Sequence, residues 1–226
     1  MNSHINMIMK NKRLKISAIL LFCIGLSGAI AQTVTDIDGN VYKTVTIGKQ
    51  VWMKENLKVT KYRNGDAIGT TTPATLNINS ENTPKYQWAY EGNDSNVATY
   101  GRLYTWYAIT DSRNVCPIDW HVPTDAEWTA LFNFLGEPSS VGEKLRETGT
   151  MHWKSPDEDA TNETGFSALP AGSRWANGKF AQMGECTHLW TATGFDPNNA
   201  WRRLLFEIEK GWSSKKNGWP VRCMKD

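Results

Sequence analysis

Between Cys116 and Glu127 the chain sets a thiol, an imidazole and three carboxylates: Cys116, His121, Asp119, Asp125 and Glu127. Those groups are the raw material of nucleophilic and acid–base chemistry. A catalytic imidazole, however, needs a base, acid or nucleophile at hydrogen-bond range, and no spacing here supplies one for His121. The Trp120-His121-Val-Pro123 run instead predicts a structural histidine holding the turn before a helix. His152 and His188 are isolated and form no metal-binding spacing with the cysteines. Three stretches touch on calcium chemistry. Asp36-Ile-Asp38-Gly39 lacks the third acid and the closing Glu of a calcium loop, so it reads as a β-turn. Asp157, Glu158 and Asp159 form an acidic run of the kind that is usually a solvated loop. Asp196-Pro197-Asn198 offers a carboxylate and a proline to set ligand geometry, but it reads first as an ordinary turn. No cofactor is predicted, with calcium left open. No Walker loop, dinucleotide fingerprint, nucleophile elbow or zincin motif occurs.

The element that must position the first cluster is the best-signalled helix in the chain. Thr124 is an N-cap, and Glu127 three residues later completes a capping box. Trp128, Leu131, Phe132 and Leu135 fall on one apolar face, and Gly136 stands where a left-handed residue would end the helix. Elsewhere the pattern is strand-like. Residues 33–57 read as two or three short strands, with Gly48-Lys49 turning an N-terminal β-hairpin. Residues 58–99 are irregular apart from a short strand at 87–90. The spacing of Leu103, Trp106 and Tyr107 predicts a helix over 103–109, and Ser139 or Ser140 caps another running through Arg146. From Leu189 onward four strands follow, at 189–193, 201–208, 211–214 and 219–224. Short helices flanked by strands predict an α+β fold, helices packed on small antiparallel sheets.

Residues 1–31 carry the pattern of a signal peptide. Lys10, Lys12, Arg13 and Lys15 precede the apolar Ile16–Leu26, and Ala29-Ile30-Ala31 places cleavage before Gln32. Residues 32–226 then form a single exported domain, in the periplasm, on the cell surface or outside the cell. Without the leader, 21 Lys and Arg face 23 Asp and Glu, a net charge of −2. A basic stripe for nucleic acid is absent, and no transmembrane helix is expected after cleavage. Cys116, Cys186 and Cys223 remain, which permits one internal disulfide in any of three pairings. All 11 Trp lie beyond residue 31. Most are assigned to the core, leaving two or three as surface platforms on which sugar rings stack.

Five ordered stretches carry a family resemblance. They are Asp38-Gly-Asn-x-Tyr-Lys-Thr-Val-x-Ile-Gly-x-Gln-x-Trp-Met-x-Glu-Asn-Leu57, Tyr100-Gly-Arg-Leu-Tyr-Thr-Trp-Tyr-Ala108, Cys116-Pro-x-x-Trp-His-Val-Pro-Thr-Asp-x-Glu-Trp128, Asn162-Glu-Thr-Gly-Phe-Ser-Ala-Leu-Pro-Ala-Gly172 and Val221-Arg-Cys-x-Lys-Asp226. Together they resemble the FISUMP family, the major paralogous domain of Fibrobacter-type bacteria. The resemblance implies an exported bacterial domain and leaves its biochemical activity open. The pattern is also similar to the C-type-lectin-like fold group that includes the formylglycine-generating enzymes. In such folds a terminal strand bearing a Cys lies near the start of a helix. That implies a Cys116–Cys223 disulfide, with Cys186 free and buried.

The expectation for function is a non-catalytic binding module for a glycan or a cell-surface protein. Its candidate face is the 194–203 loop and strand, with Asp196, Asn198, Asn199, Trp201 and Arg203, joined by Trp212. Asp196-Pro197-Asn198 resembles the Glu-Pro-Asn sugar motif of calcium-dependent lectins, but the downstream Trp-Asn-Asp partner is missing. The alternatives are an oxidase of the formylglycine-generating type and a structural or adhesive envelope protein. The oxidase requires a close cysteine pair for copper, and the corresponding segment Trp201-Arg-Arg-Leu-Leu-Phe206 has no cysteine.

Overall fold

The computed structural model describes residues 32–155, 159–205 and 210–226. The expected leader, the acids Asp157 and Glu158, and positions 206–208 of an expected strand lie outside these residues. In chain order come β1 (Thr33–Thr35), β2 (Val41–Ile47), β3 (Gln50–Met53), β4 (Gln87–Trp88) and the one-turn helix α1 (Val97–Tyr100). Then follow β5 (Leu103–Thr105), α2 (Trp106–Ile109), β6 (Trp120–His121), α3 (Asp125–Leu135) and α4 (Pro138–Leu145). The remainder is β7 (Ala171–Arg174), β8 (Phe180–Met183), β9 (His188–Gly194), β10 (Asn199–Leu204), β11 (Lys210–Ser214), β12 (Gly218–Trp219) and β13 (Met224–Lys225). The fold is α+β and mostly β, antiparallel sheets with a few short helices.

Three sheets form, in the orders β1-β2-β3-β13-β6, β11-β10-β9 and β4-β5-β12-β7-β8. The last two strands are internal to the two larger sheets. β12 lies between β5 and β7, and β13 pairs with both β3 and β6. The segment 218–225 therefore closes two sheets that were begun some 120 or more residues earlier, a high-contact-order arrangement. β2 and β3 pair across Gly48-Lys49, with Ile47 opposite Gln50.

α3 forms for the local reasons expected. Thr124 Oγ1 accepts from the Glu127 amide at 3.3 Å, and Glu127 Oε2 accepts from the Thr124 amide at 2.7 Å. Trp128, Leu131 and Phe132 are buried, and Trp128 packs on Trp52 with ring centroids 4.6 Å apart. Gly136 ends the helix at φ 99°, ψ −132°, a positive φ with an extended ψ rather than a left-handed helical residue. Residues 103–109 are not one helix. Leu103, Tyr104 and Thr105 are buried on a strand that pairs on both sides, with β4 and β12, and only Trp106–Ile109 are helical. Pairing on two edges overrides the helical spacing.

Five of the 11 Trp are essentially fully buried: Trp52, Trp88, Trp128, Trp190 and Trp219. The long irregular segments are held another way, by buried or half-buried arginines whose forked donors take backbone carbonyls. Arg174 donates to the carbonyls of Ala74, Leu76 and Trp175 and lies over the Trp88 ring at 4.0 Å. Arg63 takes the carbonyls of Cys116, Pro117 and Trp120. Arg222 takes those of Phe166 and Ser167, together with Asn56 Oδ1. Each guanidinium satisfies backbone groups that no regular element would pair.

Candidate ligand-binding face

The three-stranded sheet carries an aromatic face. Antiparallel pairing sets Trp201 of β10 directly opposite Trp212 of β11. Side chains alternate along a strand, so Lys210, Trp212 and Ser214 share one face of β11. The chain leaves β9 at Gly194, and Phe195 turns back over the same face. Its ring lies 4.6 Å from Trp201, edge-on, and 5.8 Å from Trp212, at an interplanar angle of only 11°. Phe195 is 46 % exposed and Trp212 is 55 % exposed, so these two near-parallel rings are the solvent-facing part. Trp201 is half-buried beneath the Lys210 ammonium, 4.0 Å from its ring centroid.

The turn at 196–199 forms the rim. Asp196 Oδ1 accepts from the amides of Asn198 and Asn199, both at 2.7 Å, and its Oδ2 accepts from Asn199 Nδ2 at 2.8 Å. Asn199 and these backbone amides hold the Asp196 carboxyl below the usual carboxylate range. The carboxylate closes its own turn, which takes up most of its acceptor capacity. Lys215 Nζ donates to the carbonyls of Asp196 and Pro197, at 2.7 and 3.2 Å, fastening the turn to the end of β11.

Arg203 differs from the other candidate residues. It is 5 % exposed and turned toward α3, where Nη2 meets Asp125 Oδ1 at 2.7 Å and Thr129 Oγ1 at 2.6 Å. Lys210 reaches the second Asp125 oxygen at 2.7 Å. Arg203 is thus buried against α3 beside the face and presents nothing to a ligand. Asp196, Asn198, Asn199, Trp201 and Trp212 are brought together, and Phe195 is the member that sequence reasoning missed. Its signal was an aromatic residue at a strand end beside a polar turn.

The other sequence candidates resolve into structure. His121 gains the partners that its neighbours in sequence did not reveal: Nδ1 meets Asp226 Oδ1 at 2.5 Å and Nε2 meets Glu127 Oε1 at 3.0 Å. Both ring nitrogens are occupied, so the histidine ties β13 to the start of α3. Cys116 and Cys223 form a disulfide. Cys186 is free, and it is half-buried rather than buried; burial pushes its thiol up to about 11, away from a reactive thiolate. Asp36 accepts from the amides of Asp38 and Asn40, and Asp38 from Thr60, so the 36–39 run is a turn. His152 pairs with Glu147 at 2.7 Å. Among the described residues there is no group of three or more His, Cys, Asp or Glu that could hold a metal ion. None of their helices is long and apolar enough to cross a membrane.

A family model, the Fibrobacter succinogenes major domain, matches residues 45–225. The chain belongs to that family. The match runs from within β2 to β13, so the disulfide, α3 and the aromatic face all lie inside the Fibrobacter succinogenes major domain. No curated protein and no solved structure matches the chain.

Proposed function

We propose that this Fibrobacter succinogenes major domain is a non-catalytic binding module of the cell surface or secreted fraction, and that its ligand is a glycan. The carrying observation is the exposed, near-parallel Phe195–Trp212 pair braced by Trp201. The C–H faces of sugar rings pack on such flat apolar surfaces, while polar groups at the edge take the hydroxyls. The Asn198 side chain makes no hydrogen bond to the described residues and stands at that edge. The disulfide fits an oxidising compartment, in line with the leader-like residues 1–31. A terminal strand disulfide-linked near the start of α3, short helices and antiparallel sheets support a C-type-lectin-like scaffold that begins with the β2–β3 hairpin.

The oxidase alternative is disfavoured by the cysteines. Copper binding of the formylglycine-generating type uses a thiolate pair, whereas here Cys116 and Cys223 are joined and Cys186 is the free cysteine among the described residues. A glycan array probed with the wild-type domain and with Trp212→Ala tests the proposal. Binding to at least one glycan class, lost in the variant, is the expected result. No binding at all, or equal binding by both proteins, overturns the glycan reading.

A further inference from the structure

Away from the aromatic face, a cavity of about 410 Å³ opens between the 70–74 loop, β4 and the start of the chain leading to α1. That volume is within the roughly 300–1,000 Å³ of small-molecule sites. Its lining is more polar than apolar and includes Gln87. The residue is only 6 % exposed, and its Oε1 accepts from Arg102 Nη1 at 3.0 Å. A guanidinium can only donate, so this bond fixes which way the amide is turned. The Gln87 NH₂ group then has no protein partner among the described residues, and it is open to water or to a ligand at the cavity that Gln87 lines.

The wall is held in advance of any ligand. Arg102 is itself fixed by Nε to the Lys58 carbonyl at 3.2 Å and Nη2 to Asp94 Oδ1 at 2.8 Å. On the opposite side, the buried Arg174 grips the carbonyls of Ala74 and Leu76. Thr71 Oγ1 accepts from Trp88 Nε1 at 2.9 Å and ties the loop to β4. Pre-organised walls of this kind reduce the entropy cost of binding.

The chemistry of the lining selects a ligand class. Arg102 is neutralised by Asp94 within the wall, so the site offers no net charge to an anion. The Trp88 ring is covered by Arg174, so no bare aromatic face is offered for stacking. What remains is hydroxyl and amide chemistry. Thr70 and Thr72 carry hydroxyls with no protein partner among the described residues, and Thr60 Oγ1 donates to Asp38 but keeps its acceptor pairs. Interleaved donors and acceptors of this kind match vicinal hydroxyl groups. We infer that this cavity is a second site, distinct from the aromatic face, that takes a neutral polyhydroxylated small molecule of monosaccharide type, with the Gln87 amide as its anchoring donor.

The test is titration of the full domain with D-glucose, D-galactose, D-mannose and D-xylose, followed by the NMR signals of the Gln87 side-chain amide. At least one sugar is expected to shift those signals saturably. Gln87→Glu keeps the size and the Arg102 partner but removes the donor, and is expected to weaken that sugar at least tenfold. If Gln87→Glu fails to fold, the surface double variant Thr70→Val/Thr72→Val provides the same comparison. Trp212→Ala is expected to leave the Gln87 shifts intact. No shift with any of the four sugars, or undiminished affinity in the cavity variants, overturns the inference. Loss of the shifts in Trp212→Ala also overturns it, since the sugar would then sit on the aromatic face and the binding-module proposal would stand alone.

Discussion

Phe195 and Trp212 lie nearly parallel, 11° apart with centroids at 5.8 Å, although Phe195 follows the end of β9 and Trp212 stands in the middle of β11, and both are exposed to solvent. Two exposed aromatic rings held flat together contribute little to folding, so their removal should affect binding far more than stability. Trp212→Ala is expected to change unfolding free energy by less than about 1 kcal/mol and to weaken glycan binding at least tenfold. Trp201→Ala should cost more stability, because that ring also lies under Lys210 and against Phe195. Urea denaturation beside affinity measurement separates the two effects. A Trp212→Ala variant that binds as wild type would sink the assignment of this face.

Metal removal gives an independent check on the same face. The Asp196 oxygens accept from the Asn198 and Asn199 amides and from Asn199 Nδ2. These donors already take three of the roughly four acceptor sites of the carboxylate, leaving a calcium ion little of it to ligate. Binding is therefore expected to survive excess EDTA unchanged. Loss of binding on chelation, restored by calcium, would show that the turn opens to take the ion.

Cys116 and Cys223 are separated by 107 residues, and the bond between them joins the segment before β6 to the closing strand. In the chain-entropy model a loop of that length stabilises the fold by about 4–5 kcal/mol at most. The double variant Cys116→Ser/Cys223→Ser is expected to lose much of that amount in urea denaturation. Its effect should be global, because β13 pairs with both β3 and β6. A loss under about 1 kcal/mol would mean that the reduced chain keeps these strands close in its unfolded state.

His188 predicts how stability responds to acid. It is 6 % exposed, packs on Trp219 at 4.7 Å and accepts from Arg202 at Nδ1. Burial, with the Arg202 charge beside it, pushes its pKa down from 6.5 to about 3. Below pH 6.5 the unfolded chain takes up this proton and the folded one does not. Stability is thus full above 6.5 and falls as the pH drops toward about 3. The loss should reach about 2–3 kcal/mol by about pH 4.5. His188→Gln keeps an acceptor for Arg202 without the titration, so its urea midpoint should fall less between about pH 7 and about pH 4.5. Equal acid sensitivity in both proteins would refute the assignment.

Legibility in the sequence followed the range of the interaction. The capping box and apolar face of α3 are set within one helix, and Thr124, Glu127, Trp128 and Leu131 occupy the places their spacing predicts. His121 was opaque because one carboxylate partner, Asp226, is 105 residues away. The 58–99 segment looked formless because Arg174 orders it from about 100 positions downstream, through bonds that leave no periodic trace. The aromatic face was half legible. Trp201 and Trp212 stood out by type, but only sheet register sets them opposite each other, and only the turn after β9 brings Phe195 over them. Arg203, two positions along β10 from Trp201 and opposite Lys210, shares their side by alternation, but there it is covered and held by Asp125 of α3.

Arg222 carries the sharpest prediction for the scaffold. It is 1 % exposed, stacks on Phe166 at 4.2 Å and donates to three acceptors without contacting a carboxylate among its hydrogen bonds. Burial accordingly pushes its pKa down to about 9, which still leaves it charged at neutral pH. Its role is to satisfy Asn56 Oδ1 and the Phe166 and Ser167 carbonyls, the first two in buried bonds and the third in a part-buried one. Arg222→Met fills the space of the stem but strands these acceptors, at about 1–3 kcal/mol each. The expected loss is about 3 kcal/mol or more by urea denaturation. Arg222→Lys should recover little of it, because one ammonium cannot span the fork that the guanidinium fills. Arg113, more exposed and paired with Asp111 and Asp66, provides the control, and Arg113→Met should cost distinctly less. If Arg222→Met costs no more than Arg113→Met, the loops do not depend on guanidinium–carbonyl bonding, and their order must come from packing against Phe166 and its neighbours.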